Sequence, residues 1–185
     1  VSLPLGDVNK RLRNIISLGY KEVTFTGIDL TSYGSDLPGK PNLGNLIKRV
    51  LLDNPKLKRL RLSSIDPAEI DDELLNLMCY EKRLLPHFHL SIQSGDNLIL
   101  KRMKRRHNRD DVIGVCKKIK KLRKEVTFGA DLIVGFPTES EIHFNNTLEL
   151  LKSCSLMNVH IFPFSPKEST PASKMPKVYE YKKKR

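Results

Sequence analysis

Apolar residues recur along this chain with two alternating periods. In DVNKRLRNIISLG, Val8, Leu12, Ile15 and Ile16 fall on one helical face, and Gly19 is placed to stop the helix. EVTFTG follows, short and rich in β-branched and aromatic residues, and reads as a strand. NLGNLIKRVLLDNP returns to the helical period, with Leu43, Leu46, Ile47 and Val50 inward and Pro55 beyond its end. LKRLRLSS alternates apolar and basic residues, a strand, and DDELLNLMCYEKR opens with aspartates and continues as a helix. HFHLSIQ is a strand; DNLILKRMKRR and RDDVIGVCKKIKKLRK are helical. The second of these carries a Val112, Cys116, Ile119 stripe, with acid at its start and base at its end, as the helix dipole favours. VTFGADLIVGF is a strand, TESEIHFNNTLELLKSC a helix in which Thr138 and Glu141 have capping-box spacing, and NVHIFPF the last strand.

Strands that alternate with helices over crossovers longer than about ten residues are parallel, with right-handed connections. The predicted class is therefore α/β, either an open doubly wound sheet or a barrel of TIM type, and periodicity does not choose between them. The 185 residues suffice for one core, predicted over 1–176, with the start of a basic helix at 177–185. No apolar run approaches the roughly 20 residues that span a bilayer, and no signal-peptide pattern stands at the start, so the expectation is a cytoplasmic chain without a membrane partner.

Charge changes this picture. Thirty-three Lys and Arg against 21 Asp and Glu give +12, and the stretch from Lys101 to Lys124 holds 12 basic residues against two aspartates. A phosphate-rich partner is the inference, RNA rather than DNA, although a solvated basic surface is the ordinary alternative. Cysteine adds little: Cys79, Cys116 and Cys154 are widely spaced, form no C-x-x-C, and read as buried apolar thiols.

The working face of a parallel α/β fold lies at the carboxyl ends of its strands. Those ends read TGIDLTSYG, SSIDP, QSGDN, VGFPTE and PFSPKEST, all small, polar or rich in Gly and Pro, whereas the opposite ends are ordinary. Each of Gly27, Gly95 and Gly135 is either a turn residue at positive φ or backbone brought against a ligand. Asp29 either binds a ligand amine or caps its turn. Gln93 and Ser94 end a buried strand, where the amide needs a partner, and a ligand is the preferred one. Lys101, Arg102 and Arg105 are candidates to hold a carboxylate or RNA phosphate, and Glu139 reads as a helix-capping acid. His87 and His89 share one strand face, as a zinc pair would, but at the wrong end of their strand. No nucleophilic triad, P-loop or dinucleotide fingerprint appears, so no catalytic side chain and no metal ligand is assigned.

Taken in order, GYKEVTFTGIDLTSYG, LKRLRLSSIDPAEI, HLSIQSGDNLILKRMKRRH, GADLIVGFPTESEIHF and HIFPFSPKESTPASKM resemble the radical S-adenosylmethionine methylthiotransferases, and most of all the branch acting on threonylcarbamoyladenosine in tRNA. The resemblance covers almost the whole chain. It implies part of a (β/α)6 barrel with the first strand missing. S-adenosylmethionine would lie across the strand ends near Gly27, Asp29, Gln93, Ser94, Gly95 and Gly135, with Phe162 by the adenine, and tRNA would be the substrate. Such enzymes hold a [4Fe–4S] cluster on C-x-x-x-C-x-x-C, which this sequence lacks; it also departs with PTES for P-G-E-T. The expectation is a core fragment of a longer enzyme with further N- and C-terminal domains, inactive alone in methylthio transfer. The competing reading is a non-catalytic basic RNA-binding domain.

Overall fold

The computed structural model describes residues 1–176 and Val178, so the predicted tail helix at 177–185 lies outside the described residues. The chain divides into two compact units: Val1–His89 with Ile119–Val126, and Leu90–Lys118 with Thr127–Arg185.

The first unit holds helix α1 (Leu5–Ser17), strand β1 (Glu22–Phe25), α2 (Leu43–Asp53), β2 (Arg59–Leu62), a 3-10 turn Pro67–Glu69 and α3 (Asp72–Tyr80). Short polar side chains start α2 and α3, whereas α1 follows Pro4 without a side-chain cap. Asn42 accepts from the Asn45 N–H at 2.8 Å to cap α2, and Asp71 accepts from Leu74 N–H at 2.8 Å to cap α3. The other end of α3 is closed by a buried cation. Arg123 is 6% exposed and donates to the Met78 and Glu81 carbonyls, both at 3.2 Å, where the helix leaves acceptors unpaired. Strands β1 and β2 pair in parallel, with Glu22 opposite Arg59 and Thr24 opposite Arg61. Among the described residues β1 pairs with no other strand.

Strand β3 (His87–Gln93) and helix α5 (Arg109–Leu122) each straddle the division. The second unit adds α4 (Asn97–Arg102), β4 (Thr127–Val134), α6 (Glu141–Cys154), β5 (Leu156–Pro163) and a 3-10 turn Pro171–Lys174. Its sheet has the order β3-β4-β5, with β4 and β5 parallel. Leu90, Ile92, Phe128, Ala130, Leu132, Val112, Cys116 and Leu150 form its apolar core.

Two boundaries differ from the sequence reading. The basic run after Gln93 is not one helix: α4 ends at Arg102, and Lys104 sits at φ +58, a conformation no helix continues through. Helix α6 is capped by Ser140, not Thr138. Thr138 stands at φ +69 before the helix, and the Ser140 N–H donates to His143 Nδ1 at 3.1 Å. The S/T-x-x-E spacing was real, but the reciprocal partner is an imidazole three residues after a different hydroxyl.

Each sheet has one apolar and one polar face. In β2, Leu60 and Leu62 are buried while Arg59 and Arg61 point the other way. In β3 the residues His87, His89, Ser91 and Gln93 alternate with buried Phe88, Leu90 and Ile92. Parallel sheets are ordinarily covered and apolar on both sides. A polar second face is therefore a departure from that rule.

Candidate cofactor and substrate site

The loop after β3 is the most constrained strand end in the chain. Gln93 adopts φ +70, which costs a residue with a Cβ about 1 kcal/mol or more. Gly95 does not have positive φ; the reason for glycine is steric. A Cβ there would lie 2.5 Å from Thr147 Cα and 2.8 Å from the Asn146 carbonyl oxygen of α6. The Gly95 N–H donates to Thr147 Oγ1 at 2.9 Å. Asp96 caps α4, accepting from Leu98 and Ile99 N–H at 2.9 and 3.1 Å, and its second oxygen accepts from Asn146 Nδ2 at 2.7 Å. Arg109 ties the same loop down through the Gly95 and Asn146 carbonyls. Burial pushes the Asp96 carboxyl upward, but the Asn146 amide, the two capping N–H groups and nearby His143 outweigh it and hold the carboxyl below its ordinary value. Ser94 is buried inside this network and accepts from the Asp96 N–H at 3.2 Å.

Gln93 differs from its neighbours. Among the described residues none hydrogen-bonds its side-chain amide, and it lines a cavity of about 380 Å³ together with Arg102, Lys104, Arg105, Ile133 and Phe136. Three residues singled out in the sequence thus meet in one place. Arg102 donates to Thr138 Oγ1, and Arg105 donates to the Ser91 carbonyl at 2.7 Å, so both guanidiniums are oriented by the protein. Lys101 is exposed on α4 and does not line the cavity. Lys104, Ile133 and Phe136 were missed; the period-two alternation of β4, which puts Ile133 on the face of Asp131, was the available signal.

Gly135 follows β4 at φ +70, where a turn needs glycine. Its N–H donates to Glu139 Oε2 at 2.6 Å. Glu139 is therefore a loop brace and not a helix cap, since α6 begins two residues later. Burial raises its pKa above the usual glutamate value, and the Gly135 N–H offsets only part of that. Phe162 is half-exposed on β5, in register with Ile133.

In the first unit, Asp29 is exposed and serves its own turn, accepting from the Ser32 N–H at 3.3 Å and Ser32 Oγ at 2.7 Å. Gly27 has neither positive φ nor a close neighbour, since a Cβ would meet Leu30 Cα only at 3.7 Å. Both border a largely apolar cavity of about 370 Å³ between α1 and β1.

The radical SAM superfamily model matches residues 1–151, and the chain belongs to that superfamily of enzymes built around S-adenosylmethionine. Among solved structures, coproporphyrinogen III oxidase of Escherichia coli, described as a radical SAM enzyme, matches 97% of this chain and 42% of its own at TM-score 0.70 and 13% identity. The radical methyltransferase TsrM of Kitasatospora setae covers 86% of this chain and 31% of its own at TM-score 0.67 and 12% identity. These likenesses show the fold: α/β, part of a TIM-type barrel rather than an open doubly wound sheet.

Sequence narrows the class. The threonylcarbamoyladenosine tRNA methylthiotransferase MtaB of Rickettsia prowazekii is 55% identical over 96% of this chain and 42% of its own length. That of Aquifex aeolicus is 41% identical over 99% and 44%. The tRNA-2-methylthio-N(6)-dimethylallyladenosine synthase of Petrotoga mobilis is 35% identical over 94% and 39%. The chain thus spans about two fifths of the length of these curated relatives.

The family implies both S-adenosylmethionine and a [4Fe–4S] cluster. The cavity at Gln93 fits the first: it has an amide without a protein partner, an aromatic ring at Phe136 and oriented cations. The cysteines do not fit the second. Cys79, Cys116 and Cys154 are buried on α3, α5 and α6, the ordinary fate of structural thiols.

Proposed function

We propose that this chain is the core of a tRNA methylthiotransferase that inserts a methylthio group into threonylcarbamoyladenosine. The 55% identity to the Rickettsia prowazekii protein across 96% of the chain carries the reading. The same identity to an enzyme disfavours a purely RNA-binding role. S-adenosylmethionine and the cluster, when bound, supply the radical chemistry for which the family is named. The chain's own residues bind and orient. Gln93 offers its unpartnered amide to the cofactor, and Gly135 and Phe162 are further candidates in the second unit. In the first unit Gly27 and Asp29, in the loop after β1, are the candidates. Ser94 and Gly95 act through position, holding the Gln93 turn against α6. Arg102 and Arg105 present fixed cations to a carboxylate, and exposed Lys101 contacts the tRNA backbone. Residues 1–176 form the radical core, and the compartment is the cytoplasm, where tRNA is. No helix among the described residues is long and apolar enough to cross a membrane.

The test is deletion of the gene followed by mass spectrometry of tRNA nucleosides. Threonylcarbamoyladenosine is expected to accumulate as its methylthio derivative disappears, and return of the plasmid-borne gene restores it. An unchanged methylthio level overturns the proposal.

A further inference from the structure

The polar face of β1 and β2 lies within the first unit, on the strands themselves rather than in the loops that follow them. Glu22 sits in register with Arg59, and its carboxylate holds two guanidiniums at once: Oε2 accepts from Arg59 Nε at 2.7 Å and Oε1 accepts from Arg61 Nε at 3.1 Å. Both contacts use Nε. The terminal NH2 groups of Arg59 and Arg61 have no partner among the described residues, and the side chains are 50% and 38% exposed. Two cations share one anion, so the cluster keeps one positive charge. His87 does not add to it: burial first, then Arg61 and His89, lower its pKa and favour the neutral ring. Two residues beyond Arg61, the Ser63 Oγ is buried without a hydrogen-bond partner. Arg59 at the start of β2, Arg61 near its end and Ser63 just beyond thus form one row, where a parallel sheet covered on both sides would carry apolar residues.

We infer that Arg61, with Arg59, is an anion subsite that binds the carboxylate of the substrate nucleoside's threonylcarbamoyl group. The inference rests on the proposed function for the identity of that group. A guanidinium clamped at Nε presents its remaining N–H groups in a fixed plane, the geometry a carboxylate accepts with two parallel bonds. Glu22 is a positioning residue that aligns both forks. Threonylcarbamoyladenosine carries a carboxylate and a dimethylallyl adenosine carries none, so only the first offers such a subsite an anion.

The experiment is titration calorimetry of the purified protein with the nucleoside N6-threonylcarbamoyladenosine, its methyl ester, and inorganic phosphate. The acid is expected to bind at least tenfold more tightly than the ester. Arg61→Gln should abolish that difference by lowering acid affinity to the level of the ester, with a melting curve showing that the variant is folded. Arg61→Lys, which keeps the charge without the fork, should retain part of it, and Glu22→Gln should weaken acid binding less than Arg61→Gln does. Equal affinity for acid and ester, no binding of the acid, or an Arg61→Gln protein that still prefers the acid overturns the subsite. Phosphate displacing the acid at equal concentration also overturns it, assigning the cluster to the RNA backbone. Gene deletion judges the proposed function separately: unchanged tRNA with Arg61-dependent acid binding removes that function and keeps the subsite.

Discussion

The loops after β1 and β3 look alike as strings: each is a short strand, a glycine and an aspartate. In the fold they are opposites. The loop after β3 is buried and bound to α6 through Gly95, Asp96, Asn146 and Arg109. The loop after β1 is exposed from Gly27 to Asp29, and Asp29 bonds within its own turn. The difference lies in what each glycine faces, a helix backbone at 2.5 Å or ordinary contact at 3.7 Å. One loop is a rigid mount for the residue before it. The other leaves Gly27 to Asp29 exposed, with Leu30 and Thr31 buried behind them.

The sharpest way to break this comparison is to add one methyl group to each loop. Gly95→Ala forces Thr147 and Asn146 aside and is expected to cost about 3 kcal/mol in urea unfolding. Gly27→Ala should stay within about 0.5 kcal/mol. Similar losses at the two positions would erase the distinction.

Next in size is the aspartate pair. Asp96→Ala removes a cap and the Asn146 bond, and about 2 kcal/mol should be lost, against about 0.5 kcal/mol for Asp29→Ala. The pH dependence carries a sign. The folded-state pKa of Asp96 is depressed, so its contribution is complete above the unfolded aspartate value and is lost as pH falls through the folded one. Acid unfolding of Asp96→Ala should accordingly be shallower than that of the parent chain.

Gln93 sharpens the comparison in the other direction. Gln93→Gly relieves the left-handed backbone and should stabilise the fold by up to about 1 kcal/mol. Affinity for S-adenosylmethionine, read by calorimetry, should fall roughly tenfold with loss of the amide. A variant that gains stability and keeps its affinity would remove Gln93 from the cofactor site.

The smallest effect expected is at Glu139. Its raised pKa means that its contribution is complete below the unfolded glutamate value and is lost as pH rises through the folded one. Glu139→Gln should change stability at neutral pH by less than about 1 kcal/mol and flatten that part of the pH profile. Melting curves across mildly acidic to neutral pH check it.

These contrasts explain what the sequence made legible. Element order followed from periodicity, because buried faces such as Leu43, Ile47 and Val50 must recur at the period of their element. The placement of polar loops at one set of strand ends followed from the α/β rule. Conformation inside a loop did not. Gln93 takes a positive φ and Gly95, for which positive φ was one of two readings, does not; Gly95 is set by its packing against α6, which no local pattern encodes. The Ser140 cap was hidden for a similar reason, since imidazole is an uncommon partner in a capping box. Arg59 and Arg61 were visible only as the basic half of an alternating strand. Their shared carboxylate lies 37 residues from Arg59 in sequence, and strand register brings it there.

The burial of Cys79, Cys116 and Cys154, at 5%, 2% and 2% exposure, has a practical consequence for iron chemistry. A thiol sealed among side chains neither scavenges ferrous ion or sulfide during cluster reconstitution nor reacts with an alkylating reagent until its helix opens. Metal that adds to this part of the protein is thus not drawn off by stray sulfur ligands, and the rate at which iodoacetamide labels these three sites is a clock for local unfolding.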